Sequence, residues 1–468
     1  MLAHRSPGGF RLVSGEEATR DRVGSSAWLL LLSLLVHSPI LSLVLLDPSR
    51  ATPLGDSQQY LALANNLLLH HVFSLDVSPP FTMEVMRTPG YPLLLAGLQV
   101  LAGHSMLAVA LVQAALRTLG AFLLLGIGER VLKSRRAGWL ASVLWLIAPL
   151  PTILTGTVLT ETLFTALLLL TLWFLSRAPS WQNALLAGLF FGWALVTRPI
   201  AMLLIPWVLL MILVRRPLHL ALVQVLPLTL GVGVTIGPWL AETSAQFRTP
   251  ILSTIGADNL AYYTSASILS HEQGISFAAS RQQIEALIQE RLTQFQAVHG
   301  APPNPSEQAA LTSQVASSVL LAHPLQSAWF NLIDSYNTLR PGISYTVLFR
   351  EPGRLPLAVA EGSDFSPALS ALGQPLVLAV TIILFLFYLP LYVFSALGSL
   401  RLLWKNCWKA MVALVLPSAI LLYAPGASGT GRFRVPFEPL LCLLAAYAVL
   451  EAIQVLRPRA RERSRPRE

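Results

Sequence analysis

Residues 87–101 read RTPGYPLLLAGLQVL, and this stretch decides how the rest of the chain is arranged. Its apolar part, residues 91–101, is only about a dozen residues long, whereas a helix that crosses the hydrocarbon core of a membrane needs about 17 or more. Longer apolar runs lie on both sides of it, at residues 27–46 and 105–128. The short run therefore predicts an interfacial or re-entrant helix between two membrane spans.

The composition is that of an integral membrane protein. Of the 468 residues, 54% are hydrophobic and only 12% are charged, whereas soluble domains carry about 25% charged residues. Apolar runs close to the length of a membrane-crossing helix recur along the chain. They lack the alternating segments of about ten residues that are typical of outer-membrane barrels. The sequence therefore predicts an all-α polytopic membrane protein.

Basic residues indicate how the spans are oriented. The net charge of +9 comes largely from clusters between or after apolar runs, at residues 130–136, 215–216, 401–409 and 457–467. Such clusters favour the cytoplasmic face of a membrane. If residues 91–101 crossed the membrane, the cluster at 130–136 would lie on the wrong face, so this run stays on the outer side. The excess of basic residues thus indicates how the spans are oriented and that they contact anionic lipid. No nucleic-acid partner is expected.

If residues 91–101 stay on the outer side, the remaining apolar runs form about ten spans that alternate in direction, and both termini lie in the cytoplasm. The predicted spans are residues 27–46, 105–128, 137–154, 160–175, 184–196, 200–214, 220–240, 375–397, 410–423 and 435–456. The predicted organisation is an N-terminal membrane module (1–240) with a candidate catalytic first outer loop (47–104), a small, mostly helical extracytoplasmic cap (241–373), C-terminal spans (374–456) and a basic cytoplasmic tail (457–468).

The predicted cap contains three helical patterns. The first is amphipathic, with apolar positions at Ile284, Leu287, Ile288 and Leu292. A second helix is expected to open at Ser306 and Glu307, and a third at Pro324. The cap is therefore expected to be a small helical unit that rests on the membrane domain.

Acids and arginines gather on the predicted outer face, although the chain is poor in charge. Charged groups at a membrane edge are functional candidates, and the planar guanidinium of arginine binds phosphate oxygens in a bidentate way. Four separate outer segments would contribute to a site that acts on a charged lipid head group. The candidates are Asp56, Glu84, Arg87, Glu161, Arg198, Arg432 and Arg434.

Several short motifs, in order along most of the chain, resemble those of bacterial family 39 glycosyltransferases. These enzymes are relatives of the protein O-mannosyltransferases and of the aminoarabinose transferase that modifies lipid A. The motifs are DSQQY at residues 56–60 with Ala62 and Ala64, RTPGYP at 87–92, LTETLF at 159–164, TRP at 197–199, PW at 238–239, STIGADN at 253–259 and GRFRVP at 431–436.

The resemblance implies a GT-C fold in a bacterial cytoplasmic membrane. It also implies transfer of a sugar from a polyprenyl-phosphate carrier to a lipid, glycan or protein acceptor on the extracytoplasmic side. Asp56 would be the general base, and inversion would follow from direct attack on the anomeric carbon. Desolvation near lipid is expected to raise the pKa of Asp56 and make it a stronger base.

The same resemblance assigns the remaining candidates. Arg87 is the first choice for the carrier phosphate, because phosphate charge must be offset as the sugar departs. Arg432, Arg434 and Arg198 are further phosphate-binding candidates. The supporting residues are Glu161, Glu84, Tyr60 and Tyr91. A divalent metal stays open as a cofactor, but many relatives carry two adjacent acids where Ser57 follows Asp56 here, and no metal ligands are assigned.

Other interpretations stay open at this point. Asp56 fits the N-cap of a helix that begins at Ser57, Arg87 fits an anchor that reaches lipid phosphate, and Glu84 fits a simple ion pair with Arg87. At the level of function, a transporter or flippase of a lipid-linked glycan or anionic lipid would also gather arginines near a head group. A non-catalytic assembly scaffold is a third alternative.

Overall fold

The computed structural model describes residues 15–52, 55–215, 218–339 and 374–463. Within these ranges the chain forms helices and no β-strand. The helices of the N-terminal half are α1 (Gly15–Leu46), α2 (Gly55–Leu69), α3 (Gly90–Ala102), α4 (Met106–Val131), α5 (Arg135–Ile147), α6 (Pro149–Leu154), α7 (Glu161–Leu175), α8 (Trp181–Thr197), α9 (Ile205–Arg215) and α10 (Leu218–Phe247).

A second group of helices follows the long α10. These are α11 (Ile255–Asn259), α12 (Ala266–Gln273), α13 (Phe277–His299), α14 (Pro305–Ala322), α15 (Pro324–Asp334), α16 (Tyr336–Leu339), α17 (Gln374–Trp404), α18 (Trp408–Ala410), α19 (Leu416–Tyr423) and α20 (Glu438–Arg463). Short 3₁₀ segments are Pro48–Ala51, Pro199–Leu204, Gly426–Ser428 and Gly431–Arg434, and π-helical segments are Leu260–Ser265 and Met411–Val415.

Each predicted span coincides with helical structure. In the described ranges, five helices are long and apolar enough to cross a membrane by themselves: Ser26–Leu46, Met106–Val131, Val223–Phe247, Ile382–Trp404 and Glu438–Leu456. The other predicted spans are shorter or are interrupted by 3₁₀ or π turns. The predicted all-α, multi-pass membrane architecture is confirmed.

The short helix α3 is held against the ends of its neighbours. It has 13 residues, which corresponds to roughly 20 Å and is less than the hydrocarbon thickness of a membrane. Its first residue, Gly90, lies so close to α8 that an added Cβ atom would be 2.5 Å from the carbonyl oxygen of Val196. Next to it, the buried Tyr91 donates a hydrogen bond to Gln113 of α4. These contacts keep the preceding loop beside the ends of α4 and α8.

An arginine buried inside the helical bundle has a structural role. The Arg117 side chain on α4 is 2% exposed, and its Nη2 donates to the carbonyl oxygens of Trp145, Leu146 and Ala148. These carbonyl groups lie at the break between α5 and α6, where the regular ladder of helix hydrogen bonds is interrupted. Arg117 therefore stabilises a helix end.

The helical cap, residues 255–339, has a small core of its own. Ile284 and Ile288 of α13 are fully buried and belong to one cluster with Val315 of α14. Leu287 is 44% exposed, so its predicted place on the buried face is wrong. Positions 284 and 288, one turn apart, form the buried stripe instead.

The second cap helix begins one residue earlier than predicted. It starts at Pro305, and Asn304 and Glu307 form a capping box around its first turn. The third begins at Pro324, as predicted. Residues 340–373 of the predicted cap and residues 464–468 of the predicted tail lie outside the described part of the chain.

Candidate functional site

The carboxylate of Asp56 joins two arginines that are far apart in the sequence. Its Oδ1 accepts a hydrogen bond of 2.7 Å from Arg87 Nη2, and its Oδ2 accepts one of 2.8 Å from Arg432 Nη1. The helix that carries Asp56 begins at Gly55, so Asp56 lies inside the first turn of α2 and is not an N-cap. Both carboxylate oxygens are thus directed to guanidinium groups.

A second acid continues this arrangement. Glu161, the first residue of α7, accepts a hydrogen bond of 2.7 Å at Oε1 from Arg198 Nη1, and Arg432 Nε lies 3.8 Å from the same oxygen. Arg432 therefore stands between the two acids. We call this series, Arg87, Asp56, Arg432, Glu161 and Arg198, the ion-pair chain; it carries one net positive charge.

Aromatic rings pack against the arginines of the ion-pair chain. The Phe433 ring centroid is 4.9 Å from the Cζ of Arg198 and 5.2 Å from that of Arg432. Arg87 lies 5.5 Å from the ring of Tyr60, which in turn makes an edge contact with Tyr91 at 5.3 Å. Cation–π contacts of this kind fix the planes of the guanidinium groups.

The members of the ion-pair chain differ in their exposure. The side chains of Arg87, Asp56 and Arg432 are 17%, 23% and 19% exposed, whereas that of Glu161 is 2% exposed. Glu161 Oε2 is buried and accepts no hydrogen bond from the described residues. Asp56 and its two arginines are thus partly accessible, whereas Glu161, which contacts Arg432 and Arg198, is covered.

The pKa of Asp56 moves in the direction opposite to that expected from the sequence. Burial by itself would raise the pKa, but the charges and hydrogen bonds of Arg432 and Arg87 outweigh it and lower the pKa to about 2. The prediction of a raised pKa is wrong, because Arg87 and Arg432 both donate hydrogen bonds to the Asp56 carboxylate and stabilise its charged form. Asp56 is ionised at neutral pH and is a weak base while both contacts persist.

Glu84 supports the loop but not through the predicted ion pair. Its Oε1 accepts hydrogen bonds from the backbone N–H groups of Met86 and Arg87, and the Arg87 guanidinium turns to Asp56 instead. Ser253 donates to the carbonyl oxygen of Met86 and ties the same turn to the segment after α10. Glu84 therefore shapes the backbone from which Arg87 projects.

Arg434 lies outside the ion-pair chain. Its side chain is fully buried, its Nε is 3.1 Å from Glu438 Oε2, and its Nη1 donates to Tyr392 Oη and to the carbonyl oxygen of Leu339. This placement contradicts the prediction that Arg434 binds phosphate beside Arg87. Arg434 instead anchors the 3₁₀ turn that presents Arg432 to Asp56.

Two contributors were missed by the sequence interpretation. Gln59 Oε1 accepts a hydrogen bond of 2.9 Å from Arg87 Nε, and Phe433 contacts two arginines. Gln59 lies three residues after Asp56, a spacing that puts both on one helix face. That spacing is the signal that could have identified it.

The donor set does not fit a divalent metal. The two acids of the ion-pair chain, Asp56 and Glu161, already accept from arginines. Among the described residues there is no group of three or more His, Cys, Asp or Glu side chains suited to a metal. A metal would have to compete with guanidinium groups for both carboxylates.

Comparisons with known proteins agree with this fold. Residues 86–240, which include Arg87, Glu161 and Arg198, match the sequence family described as dolichyl-phosphate-mannose-protein mannosyltransferase. The oligosaccharyltransferase of Archaeoglobus fulgidus in its apo form superposes with a TM-score of 0.52 at 15% identity, over 93% of this chain and 52% of the archaeal chain. This chain thus spans about half the length of that protein.

A second solved structure is less similar. ArnT from Cupriavidus metallidurans in the apo state gives a TM-score of 0.38 at 13% identity, over 92% of this chain and 78% of ArnT. Among curated proteins, none matches this sequence. Together, the family match and the archaeal structure confirm the predicted GT-C fold and the resemblance to glycosyltransferases of that fold.

Proposed function

We propose that this protein is an inverting glycosyltransferase that moves a sugar from a polyprenyl-phosphate carrier to an acceptor on the extracytoplasmic side of a bacterial cytoplasmic membrane. The observation that carries the proposal is the Asp56 carboxylate held between Arg87 and Arg432. It combines a proton acceptor with two phosphate-binding groups at one point. The match to a family that uses dolichyl-phosphate mannose supports a lipid-phosphate donor.

In the proposed reaction, Asp56 accepts the proton of the acceptor hydroxyl or amine. The acceptor atom forms a bond to the anomeric carbon from one face of the sugar. The bond from that carbon to the phosphate oxygen breaks, and the lipid phosphate leaves with the electron pair, so the configuration inverts. Arg87 and Arg432 offset the negative charge that develops on the leaving phosphate.

The low pKa of Asp56 makes donor binding part of this mechanism. The guanidinium groups that would bind phosphate are the ones that now donate to Asp56. When a phosphate takes these hydrogen bonds, Asp56 loses the charges that depress its pKa, and its basicity rises. Under this proposal the base becomes effective only after the donor has arrived.

The positions of the charges favour transfer chemistry over transport. A transporter is expected to hold polar groups near the middle of the membrane, between broken helices. Here Glu161 begins α7, Arg198 follows the last residue of α8, and Arg432 precedes α20. Helix ends are expected near a membrane edge, which supports transfer chemistry, and the buried Arg117 already binds the carbonyl groups of a helix end.

A donor-consumption assay tests the proposal. Purified protein is incubated with radiolabelled polyprenyl-phosphate pentoses, hexoses and amino sugars, with lipid, glycan and peptide acceptors, and release of polyprenyl phosphate is measured. Asp56→Asn is expected to lower turnover by roughly 10²-fold or more, the typical contribution of a general base. Glu290→Gln, the same acid-to-amide change at an exposed position of α13, is expected to retain full turnover.

Two results would contradict the proposal. One is an Asp56→Asn variant that folds and turns over as fast as the unchanged protein. The other is movement of an intact lipid-linked sugar across a vesicle membrane without release of polyprenyl phosphate, which would establish the transporter alternative.

A further inference from the structure

A second group of arginines lies at the opposite end of α7 from Glu161. Arg130 belongs to the last turn of α4, and Arg177 follows α7 by two residues. The 15 residues of α7, at about 1.5 Å per residue, place this group roughly 20 Å from Glu161. It is therefore separate from the ion-pair chain and takes no part in the proposed transfer.

Both guanidinium groups lie against the same indole ring. The Cζ atoms of Arg130 and Arg177 are 5.0 and 4.4 Å from the ring centroid of Trp173. Cation–π attraction draws each arginine to the ring, but it brings two like charges together without neutralising them. The nearby carboxylate of Glu129 lies 3.6 Å from Arg135 instead. Neither Arg130 nor Arg177 therefore has an ion-pair partner in the part of the chain that the structure describes.

Arg130 folds back over its own helix. A Cβ atom on Gly126, one turn earlier, would lie 2.9 Å from both Arg130 Nη1 and Trp173 Nε1. The two nitrogen atoms therefore converge over the bare backbone of this glycine. Arg130 Nη1 is buried and has no hydrogen-bond acceptor in the part of the chain that the structure describes. A buried, charged N–H group without an acceptor raises the free energy of the folded protein, and an anionic oxygen would accept its hydrogen bond.

We propose that Arg130, Arg177 and the Trp173 Nε1–H group bind a phosphate, as carried by the head group of an anionic phospholipid. Phosphate oxygens accept charge-assisted hydrogen bonds from guanidinium groups, and their charge offsets the repulsion between the two arginines. The group lies where two membrane helices end, next to the basic segment at residues 133–136. A lipid head group is found at this depth, and soluble phosphate shares the same chemistry.

The experiment compares ligands on the full-length protein in a neutral detergent. Thermal unfolding and native mass spectrometry are measured with short-chain phosphatidylglycerol, short-chain phosphatidylcholine and inorganic phosphate. Phosphatidylglycerol is expected to raise Tm and to remain bound as one molecule. Phosphatidylcholine is expected to bind more weakly, because its choline cation cancels the charge of the same phosphate group and adds to the repulsion from the two arginines. Arg130→Gln and Arg177→Gln are each expected to weaken this binding about tenfold, because each removes charge-assisted hydrogen bonds.

Arg136→Gln is the matched control, because it removes one positive charge from the same basic segment. It is expected to bind phosphatidylglycerol like the unchanged protein. An equal loss in Arg136→Gln would indicate diffuse attraction and overturn the proposal, as would full binding in both test variants or no binding by the unchanged protein. Equal stabilisation by inorganic phosphate would support the site with soluble phosphate as its ligand. Arg177 is exposed, so its variant is informative even if Arg130→Gln does not fold.

Discussion

Asp56 is the residue on which both the stability and the chemistry of the proposed site depend. Two guanidinium groups surround one carboxylate that is only 23% exposed. Their charges keep it ionised and oppose proton uptake, so Asp56 is a weak base while both contacts persist. Removal of the negative charge would leave Arg87 and Arg432 facing each other in a largely buried space, which is strongly unfavourable.

The depressed pKa predicts a specific pH dependence of stability. Because the folded-state pKa of Asp56 is about 2 and its ordinary value is 3.8, the stabilising contribution is complete above about pH 4 and is lost as pH falls towards 2. Asp56→Asn should therefore unfold at a lower temperature than the unchanged protein at pH 6. The difference should shrink between pH 4 and pH 2 in thermal unfolding curves. A difference that is constant over that range would contradict the assignment.

The short helix α3 is the element that brings Arg87 to Asp56. Its limited length could be predicted from residues 91–101, and with it a connection between two spans that contains both side chains. Its contact with α8 could not be predicted, because the approach of Gly90 to the backbone of Val196 depends on how two distant helices pack. Sequence patterns define which face of a helix is apolar, but not which neighbour that face meets.

A pair of glycine substitutions tests the role of this helix. Gly90→Ala would place a methyl group 2.5 Å from a backbone oxygen, so α3 must shift, at a cost of about 1–3 kcal/mol, and Arg87 moves with it. Tm and turnover should both fall. Gly97 lies on the same helix with open space around it, and Gly97→Ala should be neutral or stabilise by about 0.5–1 kcal/mol. Equal effects of the two changes on turnover would exclude the positioning role of α3.

The whole molecule shows what a sequence pattern can and cannot reveal. The helical, multi-pass fold was predictable from hydropathy, and Arg432 was a candidate through the motif in which it lies. The direction of the Asp56 pKa shift was not predictable, because Arg432 approaches from 376 positions away. Arg434, only two residues from Arg432, points into a different buried cluster. Neighbours in a motif can therefore have unrelated roles, which the tertiary structure decides.

The proposed topology is tested by cysteine labelling in intact cells. Val77, in the loop that follows α2, is 96% exposed, and the native Cys407 lies in the turn after α17. With a membrane-impermeant maleimide, a Val77→Cys variant should label from outside, and Cys407 should label only after permeabilisation. The unchanged protein, which carries only its native cysteines, is the control. Labelling of Val77→Cys only after permeabilisation would place Asp56 on the cytoplasmic face and contradict the proposal.

The contact between Asp56 and Arg432 also has a consequence for the synthesis of the protein. During translation, Asp56 and Arg87 emerge early, whereas Arg432 emerges only after most membrane helices have been made. A nascent or truncated chain that lacks the turn at residues 431–434 therefore has Arg87 but not Arg432 beside Asp56. Under the proposed function, such an unfinished chain is expected to be inactive towards a lipid-linked sugar until its last helices have been made.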